Sequence, residues 1–187
     1  MNDKSKAPNF LGLIDENEKL GLDNYQGSYL VIYFYPKDKT SGCTIESQDF
    51  RDFKNKFAKK NCQIVGVSRD SIKSHKSFIE KESLNFPLIS DPDETMCNAY
   101  GVMKEKSMYG RKYMGIERST FLIDPDGKLV KEWRGVKVPG HVEEVYNFLL
   151  SLFSICAFSH SGPRRLNTSN THNPCTSIPI PHPKAGK

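Results

Sequence analysis

Pro36, Thr40 and Cys43 lie close together in a segment, residues 33–50, that runs from an apolar stretch into a loop. The helical spacing of the aromatic residues that follow predicts a helix beginning near Cys43. A thiol reacts as its thiolate, and the unpaired N–H groups and positive dipole end of a helix N-terminus stabilise that anion. The Thr40 hydroxyl could reach the sulfur or an oxygen bound to it, and Pro36 stiffens the loop. The segment therefore predicts a nucleophilic cysteine.

The other four cysteines show no pattern of a metal site or of a dithiol. They stand at irregular spacings, and the chain has no Cys-x-x-Cys, so a zinc knuckle is not indicated and a disulfide reductase is disfavoured. Near the C-terminus, residue types that bind metals occur at spacings that fit no compact site: His160, His172, Cys175 and His182. We therefore expect no metal.

The hydrophobic pattern predicts an order of strands and helices that would position Cys43. Strands are expected at 29–34, 64–68, 86–89, 119–123 and 128–133, and helices after residue 43, at 71–82, at 91–100 and at 142–153. Residues 9–22 suggest a small hairpin, and 103–116 a loop. The strand-helix-strand start implies parallel strands, and Asp-Pro-Asp-Gly at 124–127 implies an antiparallel hairpin. The chain is predicted to be α/β, with a central mixed sheet flanked by helices on both faces.

A single domain of residues 1–153 and a disordered tail of residues 154–187 are predicted, because the tail is rich in Pro, Ser, Thr and Asn. All 22 acidic residues lie in the first 153, so the body is nearly neutral although the net charge is +5. This balance argues against nucleic-acid binding. No apolar run approaches the ~20 residues that span a bilayer, and the N-terminus resembles no signal peptide. We expect a cytoplasmic protein without membrane partners.

The pattern Pro36-x-x-x-Thr40-x-x-Cys43 resembles the active-site motif of peroxiredoxins, which are thiol peroxidases with a thioredoxin-like fold. The surrounding residues are similar to the branch known as bacterioferritin-comigratory proteins or PrxQ. The resemblance covers most of residues 7–153 and includes Ala7-Pro-Asn-Phe, Ser90-Asp-Pro-Asp, Tyr100-Gly-Val and Arg118-Ser-Thr-Phe-Leu-Ile-Asp-Pro-Asp-Gly-Lys. The motif together with these ordered segments is much more specific than the motif alone.

The resemblance implies a role for each residue of the motif. Cys43 is expected to be the peroxidatic cysteine, which attacks hydrogen peroxide or an organic hydroperoxide and becomes a sulfenic acid. Thr40 is expected to hydrogen-bond the peroxide, Arg118 to activate thiolate and substrate, and Pro36 to shape the pocket. Glu46 matches a recurring acid that orients the arginine. The family needs no cofactor, and a thioredoxin or glutathione-type donor would recycle a monomeric enzyme of antioxidant defence.

The sequence departs from the family pattern at position 48. Many PrxQ proteins have a resolving cysteine five residues after the peroxidatic one, whereas this chain has Gln48. Cys97 is the best internal alternative in the body, although its apolar helical surroundings are typical of core packing. Cys62, beside a buried strand, is expected to be inert, and Cys156 and Cys175 lie on or near the tail. Another cysteine or an external thiol must then resolve the sulfenic acid.

Purely structural roles are the alternative for several of these residues. Arg118 would then be a surface charge, Glu46 would only favour a helix N-terminus, and Thr40 would be a plain loop residue. For the whole protein, the alternative is a non-enzymatic redox sensor or chaperone-like protein, in which a partner recognises oxidised Cys43. Catalytic turnover with a donor system would distinguish a peroxidase from such a sensor.

Overall fold

The central strand of the fold is β3 (Tyr29–Phe34), and all of its residues except Tyr29 are buried. This computed structural model describes residues 6–158, with side chains through Ser154. The nearly continuous apolar composition of β3 is typical of a strand that is covered on both faces. The next residues of the chain form the loop that leads to Cys43, so this strand fixes where the loop begins.

The described part of the chain contains nine strands and four α-helices. The other strands are β1 (Leu11–Leu13), β2 (Lys19–Gly21), β4 (Cys62–Ser68), β5 (Leu88–Ser90), β6 (Met103–Met108), β7 (Arg111–Ile116), β8 (Ser119–Ile123) and β9 (Leu129–Trp133). The helices are α1 (Ser41–Ala58), α2 (Ile72–Glu82), α3 (Thr95–Ala99) and α4 (His141–Phe158), and a short 3-10 helix spans Leu22–Tyr25.

Seven of these strands form one mixed sheet in the order β2-β1-β5-β4-β3-β8-β9. Strands β3, β4 and β5 are parallel, because helices cross over between them, whereas β8 pairs antiparallel with both β3 and β9. The predicted N-terminal hairpin is the antiparallel pair β1–β2, which joins the sheet through β5. The prediction of a mixed sheet with helices is confirmed.

The two faces of the sheet carry separate hydrophobic cores. Val31 and Tyr33 of β3 pack on the first face, where α1, α2 and α4 lie. Leu30, Ile32 and Phe34 pack on the second face, against α3 and the N-terminal segment. This alternation follows from the two-residue period of a strand. Any pair of side chains on opposite faces is therefore separated by the sheet.

The prediction of a loop at 103–116 is wrong, because β6 and β7 form an antiparallel hairpin. Most of its side chains are exposed on both faces, so the alternation of apolar and polar residues that normally reveals a strand is missing. The turn consists of Tyr109 and Gly110, which have φ values of 50° and 76°. Two successive positive φ angles are the conformation that closes a tight hairpin.

Two helices differ from their predicted bounds. Helix α3 begins at Thr95, later than predicted, because the Asp91 carboxylate accepts hydrogen bonds from the N–H groups of Met96 and Cys97 at 3.1 and 2.8 Å and so caps the helix. Helix α4 continues to Phe158, a few residues past the predicted end of the domain. The rest of the predicted tail lies outside the described residues.

Candidate active site

Cys43 is the third residue of α1, which begins directly after the loop from β3. Thr40 is the N-cap and has an extended backbone, with φ −78° and ψ 151°, so the chain turns into the helix at that residue. The first N–H groups of a helix lack partners within it, and the positive end of its dipole lies there. The Cys43 thiol is fully buried. The sulfur thus lies at the positive end of the helix and is shielded from water.

One guanidinium group joins Cys43 to Glu46. Nη2 of Arg118 donates a hydrogen bond to Cys43 Sγ at 3.3 Å, and Nη1 donates to Glu46 Oε2. Ser119 is paired with Phe34 in the antiparallel ladder of β8 and β3, so Arg118 lies at the end of β3 from which the cysteine loop departs. The register of these two strands therefore brings together residues that are far apart in sequence.

Burial and the neighbouring charges act in opposite directions on the pKa values of Glu46 and Arg118. Burial raises the pKa of Glu46 to about 7, although the charge and hydrogen bond of Arg118 lower it. Burial also lowers the pKa of Arg118, but the anionic partners Glu46 and Cys43 outweigh this effect, and the net direction is upward. The arginine therefore keeps its positive charge beside the sulfur. Glu46 Oε1 is buried and has no hydrogen-bond partner among the described residues.

Thr40 and Pro36 lie in the loop that leads to the cysteine. The Thr40 side chain is exposed, and its hydroxyl donates to the carbonyl of Lys37 at 3.0 Å rather than to the sulfur. Its oxygen retains lone pairs that can accept a proton donor. Pro36 is half-buried directly after Tyr35. The structure thus gathers the five predicted site residues around one end of β3.

The segment between β9 and α4 also contacts the site, and no sequence motif pointed to it. The N–H of Val136 donates to the backbone carbonyl of Arg118 at 2.9 Å. A Cβ atom placed on Gly42 would lie 3.3 Å from Arg118 Nη2 and 3.9 Å from Val138 Cγ2. Any side chain at position 42 would therefore press on the arginine, and this close approach explains the glycine before Cys43.

Sequence analysis also missed His141, which lies near the site at the start of α4. Its Nε2 lies 2.8 Å from the Thr120 hydroxyl, and its ring packs edge-on against Phe50 and Trp133. Burial lowers the pKa of His141 to about 4, so the ring is neutral and Arg118 is not opposed by a second cation. Its only sequence signal is its position at the start of the closing helix.

The other described thiols lie away from Cys43. Cys62 pairs with Tyr29 at the amino end of β3, roughly 15–20 Å along the strand from the end where the Cys43 loop begins. Burial raises its pKa to about 12. Cys97 belongs to the core of the second face, and Cys43 to that of the first. A disulfide needs Cα atoms within about 4.4–6.8 Å, so this conformation gives Cys97 no role as a direct partner.

The structure leaves two of the other cysteines undescribed and shows a glutamine contact at position 48. The side chain of Cys156 and the whole of Cys175 lie outside the described residues. At position 48, Gln48 Nε2 donates to Glu82 Oε2 at 2.8 Å and ties α1 to the end of α2.

Over residues 6–158, no cluster of three potential metal ligands occurs. In that same part of the chain, no helix combines the length and the apolar character needed to cross a membrane.

Comparison with known proteins places this chain in a family. The AhpC/TSA family model matches residues 4–132. Peroxiredoxin Bcp of Bacillus subtilis is 49% identical over 144 residues, which are 77% of this chain and 92% of that relative. The chain is a peroxiredoxin of the AhpC/TSA family. It shares 48% identity with the bacterioferritin comigratory protein of Xanthomonas campestris, whose solved structure was studied for alkyl peroxide reduction activity. The match covers 76% of this chain and 90% of that one, with a TM-score of 0.72.

The fold comparison extends to a second solved peroxiredoxin. A C47S mutant of Xylella fastidiosa PrxQ is 44% identical to this peroxiredoxin. The two structures superpose over 82% of this chain and 98% of that one, with a TM-score of 0.76. The thioredoxin-like fold and the PrxQ branch that the sequence suggested are therefore confirmed.

Proposed function

We propose that this peroxiredoxin reduces hydrogen peroxide and organic hydroperoxides with Cys43 as the peroxidatic residue. The observation that carries the proposal is the 3.3 Å hydrogen bond from Arg118 to Cys43 Sγ at the start of α1. Two sources of positive potential, the guanidinium and the helix N-terminus, converge on one buried sulfur. A cysteine that served only the core would need neither of them.

The reaction begins with attack of the Cys43 thiolate on the terminal oxygen of the peroxide. An S–O bond forms as the O–O bond breaks, and sulfur supplies the electron pair that the departing alkoxide or hydroxide carries away. That oxygen takes up a proton and leaves as an alcohol or water, and Cys43 remains as a sulfenic acid. Arg118 stabilises the negative charge as it moves from sulfur to oxygen.

The loop residues orient the substrate in this proposal. Because the thiol is buried, the peroxide reaches it between the partly exposed Arg118 and the exposed Thr40. The Thr40 oxygen accepts the peroxide O–H, and Pro36 excludes water from one side of the sulfur. Glu46 accepts a hydrogen bond from Nη1 of Arg118 and so fixes the direction of Nη2, which faces the sulfur.

We further propose that an external thiol of the thioredoxin or glutathione type regenerates Cys43 in a monomeric, cytoplasmic enzyme. One thiol attacks the sulfenic acid to give a mixed disulfide and water, and a second thiol releases Cys43 and forms the donor disulfide. The positions of Cys62 and Cys97 support an external donor. Cys43, Cys62 and Cys97 are all free thiols, as is usual in a reducing compartment.

The decisive experiment is intact-mass spectrometry after one equivalent of hydrogen peroxide, with and without a sulfenic-acid trap. We expect one trapped adduct, which peptide mapping places on Cys43, and no loss of two hydrogens. The Cys43→Ser variant should form no adduct and consume no peroxide.

A variant lacking Cys156 and Cys175, both changed to Ser, tests the external donor separately. It should form the same adduct as wild type and turn over equally well with an external dithiol. A disulfide in wild type that disappears in this variant would instead identify an internal resolving thiol. Unchanged peroxide consumption by Cys43→Ser would refute the proposed function.

A further inference from the structure

The loop before Cys43 is held in a strained shape. Lys39, one residue before the N-cap of α1, has φ 61°, a left-handed conformation that is unfavourable for a residue with a long side chain. Such residues persist when the surrounding structure fixes them, and they occur often at functional sites. The contacts that fix this loop are therefore of interest for the reaction.

Asp38 is the anchor of the loop, and its side chain is almost completely buried. Its carboxylate accepts hydrogen bonds from the hydroxyls of Tyr35 and Ser74, both at 2.7 Å, and from His75 Nδ1 at 2.9 Å. Its backbone N–H donates to Asp70 Oδ2 at 2.8 Å. One residue of the loop is thus bound to Tyr35 directly after β3, to α2 and to the segment that joins β4 to α2.

Both ring nitrogens of His75 have partners. Nδ1 faces the Asp38 carboxylate at 2.9 Å, and Nε2 lies 3.2 Å from the carbonyl oxygen of Ile89. Burial would raise the pKa of Asp38, but the hydrogen bond and the electrostatic attraction of His75, with the hydrogen bonds from Ser74 and Tyr35, lower it overall. Asp38 and His75 therefore form a buried hydrogen-bonded pair.

This hydrogen-bonded pair connects α2 to the start of α1. Lys39 Nζ adds a parallel contact, because it donates to Ser77 Oγ at 3.0 Å, and Ser74, His75 and Ser77 all lie in the first part of α2. Only Lys39 separates Asp38 from Thr40, the N-cap of the helix that carries Cys43. A displacement of Asp38 would therefore be passed directly to the residues that meet the peroxide.

We propose that Asp38 and His75 are positioning residues for the reaction at Cys43, with their buried hydrogen-bonded pair holding the 36–40 loop in its strained shape. This inference rests on the proposed function of Cys43. Neither residue touches the sulfur, and their effect passes through the loop. Small misplacements of a substrate-binding group can reduce a rate by up to about 100-fold, so the pair matters for rate even if the protein stays folded.

The test compares two reactions of Cys43 in His75→Leu and His75→Asn. Peroxide attack needs the loop in place, whereas alkylation by iodoacetamide needs only the thiolate and access to it. We expect the rate constant for oxidation by hydrogen peroxide to fall about 10- to 100-fold in His75→Leu, with alkylation unchanged or faster. His75→Asn retains one donor toward Asp38 and should recover part of the peroxide rate. Circular dichroism confirms that each variant is folded at the temperature used.

Asp91→Asn is the matched control, because Asp91 is also a buried carboxylate but caps α3 on the second face. It should lower the melting temperature and leave the ratio of the two rates unchanged. Equal losses of both rates in His75→Leu, or a melting temperature that falls while peroxide oxidation stays at wild-type speed, would overturn the positioning role.

The Cys43→Ser variant separates this proposal from the proposed function. If Cys43→Ser still consumes peroxide, the function assigned to Cys43 is wrong and the positioning role falls with it. If Cys43→Ser is inactive and His75→Leu is oxidised as fast as wild type, only the positioning role is wrong.

Discussion

Partly exposed Arg118 and buried Glu46 form an ion pair in which the arginine also binds the sulfur of Cys43. The carboxylate keeps one oxygen unpartnered among the described residues. The guanidinium thus contacts both the Glu46 carboxylate and the Cys43 sulfur. Arg118 lowers the pKa of Glu46, but burial raises it by more. This arrangement makes Glu46 a source of pH-dependent stability.

We expect Glu46→Gln to stabilise the protein above neutral pH and to have little effect near pH 5. The pKa of Glu46 is raised from its ordinary 4.5 to about 7, so between these values the folded state holds a proton that the unfolded state releases. Stability from this group is therefore present at low pH and is lost as the pH rises through about 7. The full effect is on the order of 3 kcal/mol. Urea unfolding of both proteins across this pH range measures it.

Glu143→Gln serves as the control for that series, because Glu143 is an exposed carboxylate in the first turn of α4. Its effect on stability should be small at every pH. A Glu46→Gln protein that became less stable as the pH was raised, relative to wild type, would show that Arg118 outweighs burial in setting the charge of Glu46.

We expect Arg118→Lys to slow peroxide oxidation of Cys43 by about 10- to 100-fold, from the loss of a charge-assisted hydrogen bond worth about 1.5–3 kcal/mol. A lysine retains the charge but cannot bridge the sulfur and Glu46 with two nitrogens in a fixed plane. Stopped-flow measurement of the second-order rate constant tests this. Arg51→Lys is the control, since Arg51 lies further along α1 and binds Asp52 and the carbonyl of Glu82. Equal rates for both variants would leave Arg118 without a specific role.

We expect Cys62→Ala and Cys97→Ala to leave the first oxidation within about twofold of wild type, because distant sites without shared partners act independently. Burial raises the pKa of both thiols and disfavours their thiolates. Peroxide consumption and trapping of the sulfenic acid are the measurements. If the trapped adduct persisted longer in Cys97→Ala than in wild type, Cys97 would have to reach Cys43 through a rearrangement of the sheet or of α1.

The sequence allowed the start of α1 and the buried strands to be predicted, because these features depend on local patterns. Ser71, the first residue of the predicted helix at 71–82, is the N-cap of α2, and its side chain accepts from the N–H of Ser74. The hairpin β6–β7 was missed because its exposed strands show no alternation. Only the turn at Tyr109 and Gly110 carried a local signal, and it is weaker than an Asn-Gly pair.

The contacts around Cys43 depend on information that local patterns lack. Arg118 reaches the sulfur because Ser119 and Phe34 are paired in the sheet, and a strand pattern does not fix its register with a strand far away in sequence. The pairing of Asp38 with His75 likewise depends on how α2 packs against the loop. The resemblance to the family supplied Arg118 as a candidate, whereas no motif supplied His75.

We expect Gln48→Cys to give this protein an internal disulfide after oxidation, because position 48 is where many PrxQ proteins have their resolving thiol. Residues five apart on a helix are separated by about 7.5 Å along its axis, too far for a disulfide in the intact helix. The first turns of α1 must therefore unwind after the sulfenic acid forms. Loss of the bond from Gln48 to Glu82 in this variant favours that opening.

Intact mass after one equivalent of peroxide should show the loss of two hydrogens in Gln48→Cys, mapped to residues 43 and 48, and little trapped adduct. Gln48→Ser removes the same contact with Glu82 without adding a thiol, so it should behave as wild type and keep a trappable sulfenic acid. A Gln48→Cys protein that is trapped as fully as Gln48→Ser would show that α1 stays wound after oxidation. The rigidity of α1, as well as the glutamine at position 48, would then keep the oxidised Cys43 from a partner on its own helix.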